Sequence, residues 1–449
     1  MKKSLLMILS CTTFTLVNAQ IQFEKTYPKQ FSQDINDVRE CSAGGYIAVG
    51  FTQDSTGTYG VQIIRTDVNG DTTWTKTISG GYGQNAFNIQ EIDSGNFIIT
   101  GYKNYTSSSD CDVNLIKLSS TGAVIWQNPF GGASCQWGQA IIRDNQGNYV
   151  IGGSEFYKRN SQGGAIWNRG WQTFQIFGLQ QTADGGYILE GFNSSLLSLR
   201  KTDSAGVATW TKSYSGVNYN PSCRTVQQTT DGGYILVGAN PTFTCIKLVK
   251  TDMNGDTLWT KQIGNWNYSY GGAVQQTTDG GYIITGEAYD GTMDAAYLVK
   301  TDAAGDTMWT RTFQRPNTWC WGESVQQTSD GGYIIGASAR DMSSSEDDFY
   351  LIKTDPAGYE SVQSTIAENI SVTVYPNPFH DEATLYISSP GNLHDATLLI
   401  TDVLGNIVRT QSITGNETRI GKEELSPGLY FYEVVSANEI LANGKIMIR

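Results

Sequence analysis

The only histidines, His380 and His394, both lie in the C-terminal part of the chain. The long stretch before them therefore has no Ser-His-Asp triad, no Cys-His pair and no histidine-ligated metal. Carboxylates remain, because glycoside hydrolysis needs only two acids about 5 to 10 Å apart. Glu287, Asp290, Asp294 and Glu323 are the candidates for such a pair outside the recurring turns. Asp184, Asp231, Asp279 and Asp330 each precede Gly-Gly and read as turn residues bonding to their own backbone. Asp67 to Asp71 and Asp252 to Asp256 spell Asp-x-Asn-Gly-Asp, which lacks the length and distal Glu of a calcium loop, so no metal is expected. There is no Walker loop, and the Gly pairs fall in hairpins, so no phosphate cradle or cofactor is expected either.

Two other residue types could bind. Cys11 sits in an N-terminal leader, and Cys41, Cys111, Cys135, Cys223, Cys245 and Cys320 follow it without metal-ligand spacing. In an exported protein they permit disulfides, and Cys223 with Cys245, which flank one repeat core, is the preferred pair. Tyr82, Trp137, Tyr219, Trp266, Tyr268, Tyr270, Trp319 and Trp321 all fall in segments that vary between repeats. Clustered aromatics bind sugars or protein partners through flat apolar area with a polar edge, or else they cap the ends of the elements that carry them.

What positions these residues is a repeat. QTADGGYILEG from Gln181, QTTDGGYILVG from Gln228, QTTDGGYIITG from Gln276 and QTSDGGYIIGA from Gln327 are copies of one phrase, with looser copies from Ser42, Asp93 and Asp144. A second phrase follows, as in IIRTDVNGDTTWTK from Ile63, RKTDSAGVATWTK from Arg200, KLVKTDMNGDTLWTK from Lys247 and YLVKTDAAGDTMWTR from Tyr297. Together they predict four antiparallel strands per unit, with Gly at turns that need positive φ. Seven units of about 48 residues predict a seven-bladed β-propeller over residues 20–360. The composition agrees: 50 Gly, 24 Tyr and 11 Trp against 16% charged residues favour short strands and tight turns.

The seventh unit ends at Tyr350-Leu-Ile-Lys-Thr-Asp-Pro-Ala-Gly-Tyr-Glu360 without its Trp-led strand, whereas Phe23-Glu-Lys-Thr-Tyr27 fits that strand's pattern. The N-terminal strand is therefore expected to complete the last blade and remove a free sheet edge. Loops within the two phrases are short and uniform. Loops between the phrases vary, and in an up-down-up-down blade they share one face, the face that carries the aromatics. The third unit is short between Tyr149 and Trp167, which predicts a notch in the rim. The Trp-bearing hairpin resembles the tryptophan-docking motif of quinoprotein propellers and, more distantly, the Asp-box of sialidases, with spacing about a residue different. That resemblance implies blades locked together and no chemistry; a quinone is disfavoured because no adjacent cysteine pair is present.

Residues 361–369 read as a polar linker, and 370–449 as an alternating-strand segment suited to a small immunoglobulin-like β-sandwich. This segment resembles the type A C-terminal sorting domain of the type IX secretion system of Bacteroidetes. Tyr375, Pro376, Asn377 and Pro378 stand at the family's first motif, Asp402 to Val408 at its central hairpin, Gly428 and Tyr430 at its Gly-x-Tyr, and Lys445 in its last strand. The resemblance implies recognition by an outer-membrane translocon, removal of the domain, and anchoring or release of the body outside the cell. Lys2, Lys3, an apolar core and Val17-Asn18-Ala19 read as a signal peptide over residues 1–19. The rival reading is a lipoprotein leader acylated at Cys11. Beyond it no run of about 18 apolar residues predicts a membrane span.

The formal charge of −13 repels phosphate backbones and anionic lipid, so nucleic acid is not an expected partner. The leading expectation is a secreted or cell-surface non-catalytic binding propeller whose ligand is a glycan or a surface protein. The alternative is a hydrolase or lyase using a carboxylate pair on the variable face.

Overall fold

A computed structural model describes residues 22–449 except 105–109, 133, 172, 194–195, 219–224, 265, 290, 293, 345, 360–370, 389–395, 403–406, 414, 424 and 437–438. The expected signal peptide and linker, Tyr219, Cys223, Asp290, His394 and most of the hairpin from Asp402 lie outside the described residues. The chain divides into two compact units, Met1–Ser361 and Val362–Arg449.

In the first unit every repeat folds as its two phrases predict. The first blade is typical: Gln33–Glu40, Tyr46–Gln53, Tyr59–Thr66 and Thr72–Ile78 pair in that order, all antiparallel. Six such sheets follow around the unit, beginning at Gly83, Gly138, Phe174, Val226, Tyr268 and Thr318. The seventh has only three strands of its own, Thr318–Gln327, Tyr333–Asp341 and Asp347–Thr354, and Phe23–Tyr27 adds the fourth, with Phe23 opposite Lys353 and Tyr27 opposite Phe349. These seven four-stranded sheets are the arrangement of a seven-bladed propeller. One extra pairing, Asn218 with Ala239, links the fourth blade to the fifth.

The core lies between blades. Among the described residues, each pair of neighbouring blades encloses one apolar cluster, such as Ile235, Val237 and Leu248 of the fifth against Val274, Ile284 and Val299 of the sixth. The series closes where Phe23, Phe349 and Leu351 of the seventh blade meet Ile35, Val38 and Ile64 of the first. Strands buried on both faces explain why YII and YLV are unbroken apolar runs instead of alternating ones.

Three devices repeat around this ring. The lead aromatic of each outer strand packs beneath a turn glycine of the next blade: Phe23 under Gly70, Trp74 under Gly122, Trp210 under Gly255, Trp259 under Gly305 and Trp309 under Gly358. Each of these glycines has φ between +77° and +82°, and a Cβ there would meet the ring at 2.5 to 2.9 Å. The same rings reach the next blade's tyrosine, as Trp259 does Tyr282 with centroids 5.9 Å apart. The blade-locking role implied by the tryptophan hairpin is thus what the packing displays, with Phe23 standing in the Trp place.

The second device disposes of the recurring turn acids. Asp184, Asp231, Asp279 and Asp330 hold the buried ammonium groups of Lys201, Lys250, Lys300 and Lys353 at 2.8 to 2.9 Å. Each lysine also donates to the carbonyl of the threonine that follows it. Although partial burial opposes it, this lysine contact, with the turn hydroxyl and amide, lowers the carboxyls of Asp184, Asp231 and Asp279 to about 2. The third is amide to backbone: Gln275 Oε1 accepts from the Gln327 amide at 2.6 Å, and Gln327 Oε1 from Thr278 at 2.9 Å in the reverse direction. Both glutamines of the VQQT phrase are therefore stitches between blades.

The second unit holds two sheets. Ser371–Tyr375, Glu382–Ser388 and Glu417–Gly421 form one, and Ile407–Ile413, Ala396–Thr401, Gly428–Ser436 and Glu439–Ile448 the other. Alternate residues such as Leu385, Leu398, Ile400, Val434 and Ile446 are fully buried and share one core.

Candidate functional site

The first strands of all seven blades converge on a polar axial channel of about 200 Å³, lined by groups such as Asp37, Arg39, Gln90, Gln180 and Glu323. Asp37, 2% exposed, is occupied structurally: its carboxylate accepts from Asn88 Nδ2 at 2.5 Å and the Ile89 amide at 3.1 Å in the second blade, and from Ser324 Oγ at 2.8 Å in the seventh. It is a clamp across three blades. Gln90, Gln180 and Gln227 in the channel wall are likewise committed to the neighbouring blade, as described for Gln275.

The variable face holds a larger hollow, about 720 Å³, over the first three blades. Its walls come from the loops between the repeat phrases: Thr56, Thr58 and Tyr59, then Tyr82, then Tyr102, Asn104 and Cys111, then Cys135 and Trp137. Phe87 and Gln139, from two inner strands, complete it. Five aromatic rings thus meet in one concavity. Tyr82 and Tyr59 are 59% and 38% exposed. Tyr59 rests edge-on against Phe51 at 5.0 Å, and Phe87 lies 5.8 Å from Tyr102. Burial, with a smaller contribution from Tyr59, raises the Tyr102 phenol, which stays protonated at neutral pH.

A disulfide, Cys111–Cys135, joins the third strand of the second blade to the loop leading into the third. That loop is pinned further by the Gln136 amide to the Cys111 carbonyl at 2.6 Å and the Trp137 amide to Ser154 Oγ at 3.2 Å. Ser154 lies in the brief Ser154–Glu155 link of the short third blade, so the reduced unit anticipated from Tyr149 to Trp167 provides the anchor for Trp137. The preferred pairing of Cys223 with Cys245 is not formed: Cys245 is a buried free thiol, as are Cys41 and Cys320.

Trp266, Tyr268, Tyr270, Trp319 and Trp321 do not line this hollow. Trp266 packs edge-on against Tyr297 at 5.5 Å within the core between the fifth and sixth blades. Tyr270 is 9% exposed, and its ring lies edge-on to Tyr268 at 5.8 Å. Tyr268, 39% exposed, stacks on Phe243 at 6.2 Å. Trp319, 37% exposed, and Trp321, with the Arg340 guanidinium 5.5 Å from its ring, stand on the seventh blade. Sequence reading missed Tyr59, Phe87 and Tyr102, which belong to strands and so looked like scaffold. Tyr59 alone carried a signal, since its counterparts Cys111, Asp294 and Asp347 are not aromatic, whereas Tyr102 has aromatic counterparts in Phe51 and Phe192 and Phe87 has one in Phe177.

Of the candidate acids, Glu287 and Asp294 come together on the sixth blade. Glu287 lies opposite Tyr270 in the sheet. Burial raises its carboxyl to about 7, a hydrogen bond from Tyr270 opposes this, and a hydrogen-bonded Asp294 adds to it. Glu323 belongs to the axial channel instead. The Asp67 and Asp252 loops are ordinary turns, with Asp67 Oδ1 accepting the amides of Asn69 and Asp71 at 2.9 and 2.8 Å, and Asp71 paired to Lys25.

In the second unit Tyr375 is 74% exposed and leads into the exposed Pro376-Asn377-Pro378. Asn377 clasps the last strand through Nδ2 to the Lys445 carbonyl at 2.8 Å and Oδ1 from the Met447 amide at 2.9 Å. Tyr430 is buried, with its hydroxyl donating to the Ser426 carbonyl at 2.9 Å across the turn at Gly428. Lys445 is exposed.

Residues 373–449 match the family model of the secretion system C-terminal sorting domain. No curated protein matches the chain. Among solved structures, the WD40 domain of Pan2 from Neurospora crassa is similar at 9% identity and a TM-score of 0.50, over 73% of this chain and 92% of that one. PorZ, an essential surface component of the type-IX secretion system of Porphyromonas gingivalis, aligns at 13% identity and a TM-score of 0.45 over 94% of this chain and 61% of its own. The extracellular domain of BT4673 from B. thetaiotaomicron aligns at 12% and 0.47 over 96% and 59%. This chain thus spans about three-fifths of those two proteins. At such identities the likeness is one of fold, the β-propeller.

Proposed function

Starting from a β-propeller whose type IX sorting domain directs it to the cell surface or the extracellular space, we propose that the chain is a non-catalytic binding protein and that its ligand enters the hollow over the first three blades. The observation that carries this reading is the convergence of five aromatic rings from the loops and strands of three blades, beside a disulfide that ties one of those loops down. Pockets of this size that are rich in aromatic side chains are the usual form of a ligand site. Titrating the full chain against surface glycans and purified surface proteins tests it: saturable binding weakened by Tyr82→Ala supports the reading, and binding indifferent to Tyr82 and Trp137 substitutions overturns it.

The domain plan belongs to the same proposal. Residues 1–19 serve as a signal peptide, 20–360 as the propeller, 361–369 as a linker and 370–449 as a sorting domain with an immunoglobulin-like sandwich. The Tyr430 hydroxyl bonded back to Ser426 resembles the tyrosine corner of such sandwiches, which supports that assignment. Asn377, by holding the final strand, would keep the exposed Tyr375 and Lys445 in place for the translocon.

A second reading, a carboxylate-dependent hydrolase, is favoured by Glu287, whose raised carboxyl suits a general acid. Its partner Asp294 is in hydrogen-bond contact, closer than the separation glycosidases use. Turnover on a glycan panel, abolished by Glu287→Gln, would favour this reading over binding.

A further inference from the structure

The hollow has a chemical signature beyond its shape. Among the described residues its lining comprises five aromatic rings, the hydroxyls of Thr56 and Thr58, the amides of Asn104 and Gln139, glycines and the disulfide, without one Asp, Glu, Lys or Arg. The chain as a whole carries 43 acids and 30 basic residues, so an uncharged surface this wide is a departure from its surroundings. A cationic ligand would find no counter-ion within it. An anionic one would meet the same lack together with the field of a protein whose formal charge is −13. The Thr56 and Thr58 hydroxyls are bonded to each other, and that of Thr56 to Asp54, but an aliphatic ligand would leave the Asn104 and Gln139 amides of the wall unmatched, at the usual cost of desolvating polar groups.

The ligand chemistry that satisfies all of these is a flat ring with C–H faces and a hydroxyl rim. Aromatic faces carry partial negative charge and attract such C–H groups, while amides and hydroxyls answer the rim. We propose that the hollow over the first three blades is a subsite for a neutral carbohydrate, with Tyr82 and Trp137 as stacking platforms and Asn104 and Gln139 as hydrogen-bonding partners. The proposal rests on the reading of this chain as a binding propeller and narrows it to one ligand class. The Cys111–Cys135 bridge has a stated part in it: by fixing the loop that carries Trp137 it places that ring before the ligand arrives, which reduces the ordering cost of binding.

The test uses the full chain and a set of soluble oligosaccharides that differ in charge: neutral hexose and N-acetylhexosamine oligomers, and uronic-acid and sulfated counterparts of equal length. Calorimetric titration should give saturable binding to a neutral member, weakened about tenfold or more by Tyr82→Ala and by Trp137→Ala, with Tyr268→Ala unchanged as a distant aromatic control. The double variant Cys111→Ser, Cys135→Ser should retain weakened binding to the same sugar. Tyr82 is largely exposed, so its substitution leaves folding intact, and thermal melts of each variant check this. Preference for the charged oligomers, or neutral-sugar binding that survives both platform substitutions, overturns the proposal. If no sugar binds but a purified surface protein does so in a Tyr82-dependent way, the carbohydrate assignment falls and the binding reading stands. If nothing binds through this hollow, both fall.

Discussion

Glu190 is the residue that least fits its place. The equivalent repeat positions are Val49, Thr100, Gly152, Val237, Thr285 and Gly336, all small or uncharged, yet here a carboxyl is wholly buried and neither oxygen has a hydrogen-bond partner. Burial raises its pKa well above the usual carboxylate range. The folded protein therefore keeps the proton that the unfolded chain gives up from about pH 4.5 upward, so the group's contribution to stability declines as pH rises past that point. Glu190→Val should stabilise the protein at pH 8 by on the order of 2 kcal/mol, since it removes an unsatisfied buried polar group. The gain should shrink toward pH 4, and melting curves at both pH values check it. A gain that is constant with pH would mean that packing, not ionisation, sets it. The oddity is legible in the sequence as a Glu inside YILEG, but its burial becomes visible only when the inner strands are seen sandwiched between neighbours.

At the scale of the element, the hairpin with its turn glycine is the working part. Gly305 combines φ of +79° with the Trp259 ring where a Cβ would stand, at 2.6 Å. Gly305→Ala should therefore lower stability by about 2 kcal/mol or more, from left-handed backbone strain plus displacement of the tryptophan. Gly232→Ala, at φ +84° with open space around it, should show the backbone part alone, so comparing the two melts isolates the docking contribution. Strands and turns were legible in the sequence because each unit repeats the same local chemistry, Gly at positive φ and β-branched or aromatic runs between. The partners of that chemistry were not. That Asp231 would neutralise Lys250 depends on which strands of one blade lie side by side, and that Gln275 would reach the amide of Gln327 depends on how one unit stacks on the next, which nothing in a single repeat states. For the same reason Tyr82 and Trp137 could be named as candidates, whereas their meeting with Tyr59, Phe87 and Tyr102 could not.

For the whole molecule the decisive contact joins strands far apart in the chain. Phe23–Tyr27 pairs with Phe349–Lys353, its Lys25 reaches Asp71 at 2.6 Å, and Tyr27 donates to the Gly70 carbonyl at 2.6 Å. Removing residues 20–28 should strip the seventh blade of its outer strand and the first blade of its docked aromatic. A fall in melting temperature of about 5 °C or more is expected, with faster proteolysis beginning in the seventh blade. A deletion variant that melts like the parent would mean the ring does not depend on its clasp. The expectation was available from sequence because the seventh unit lacked a strand and the N-terminus had one to spare.

The clasp also imposes an order on events. A strand made at the outset of synthesis cannot pair until residue 353 exists, so an incomplete chain has no way to finish its circle. A shortened product would keep two bare sheet edges, one at each side of the gap, and such edges invite both aggregation and degradation. For a protein delivered outside the cell, the seam between the propeller's first and last strands thus doubles as an inspection point that only molecules extending through Thr354 pass.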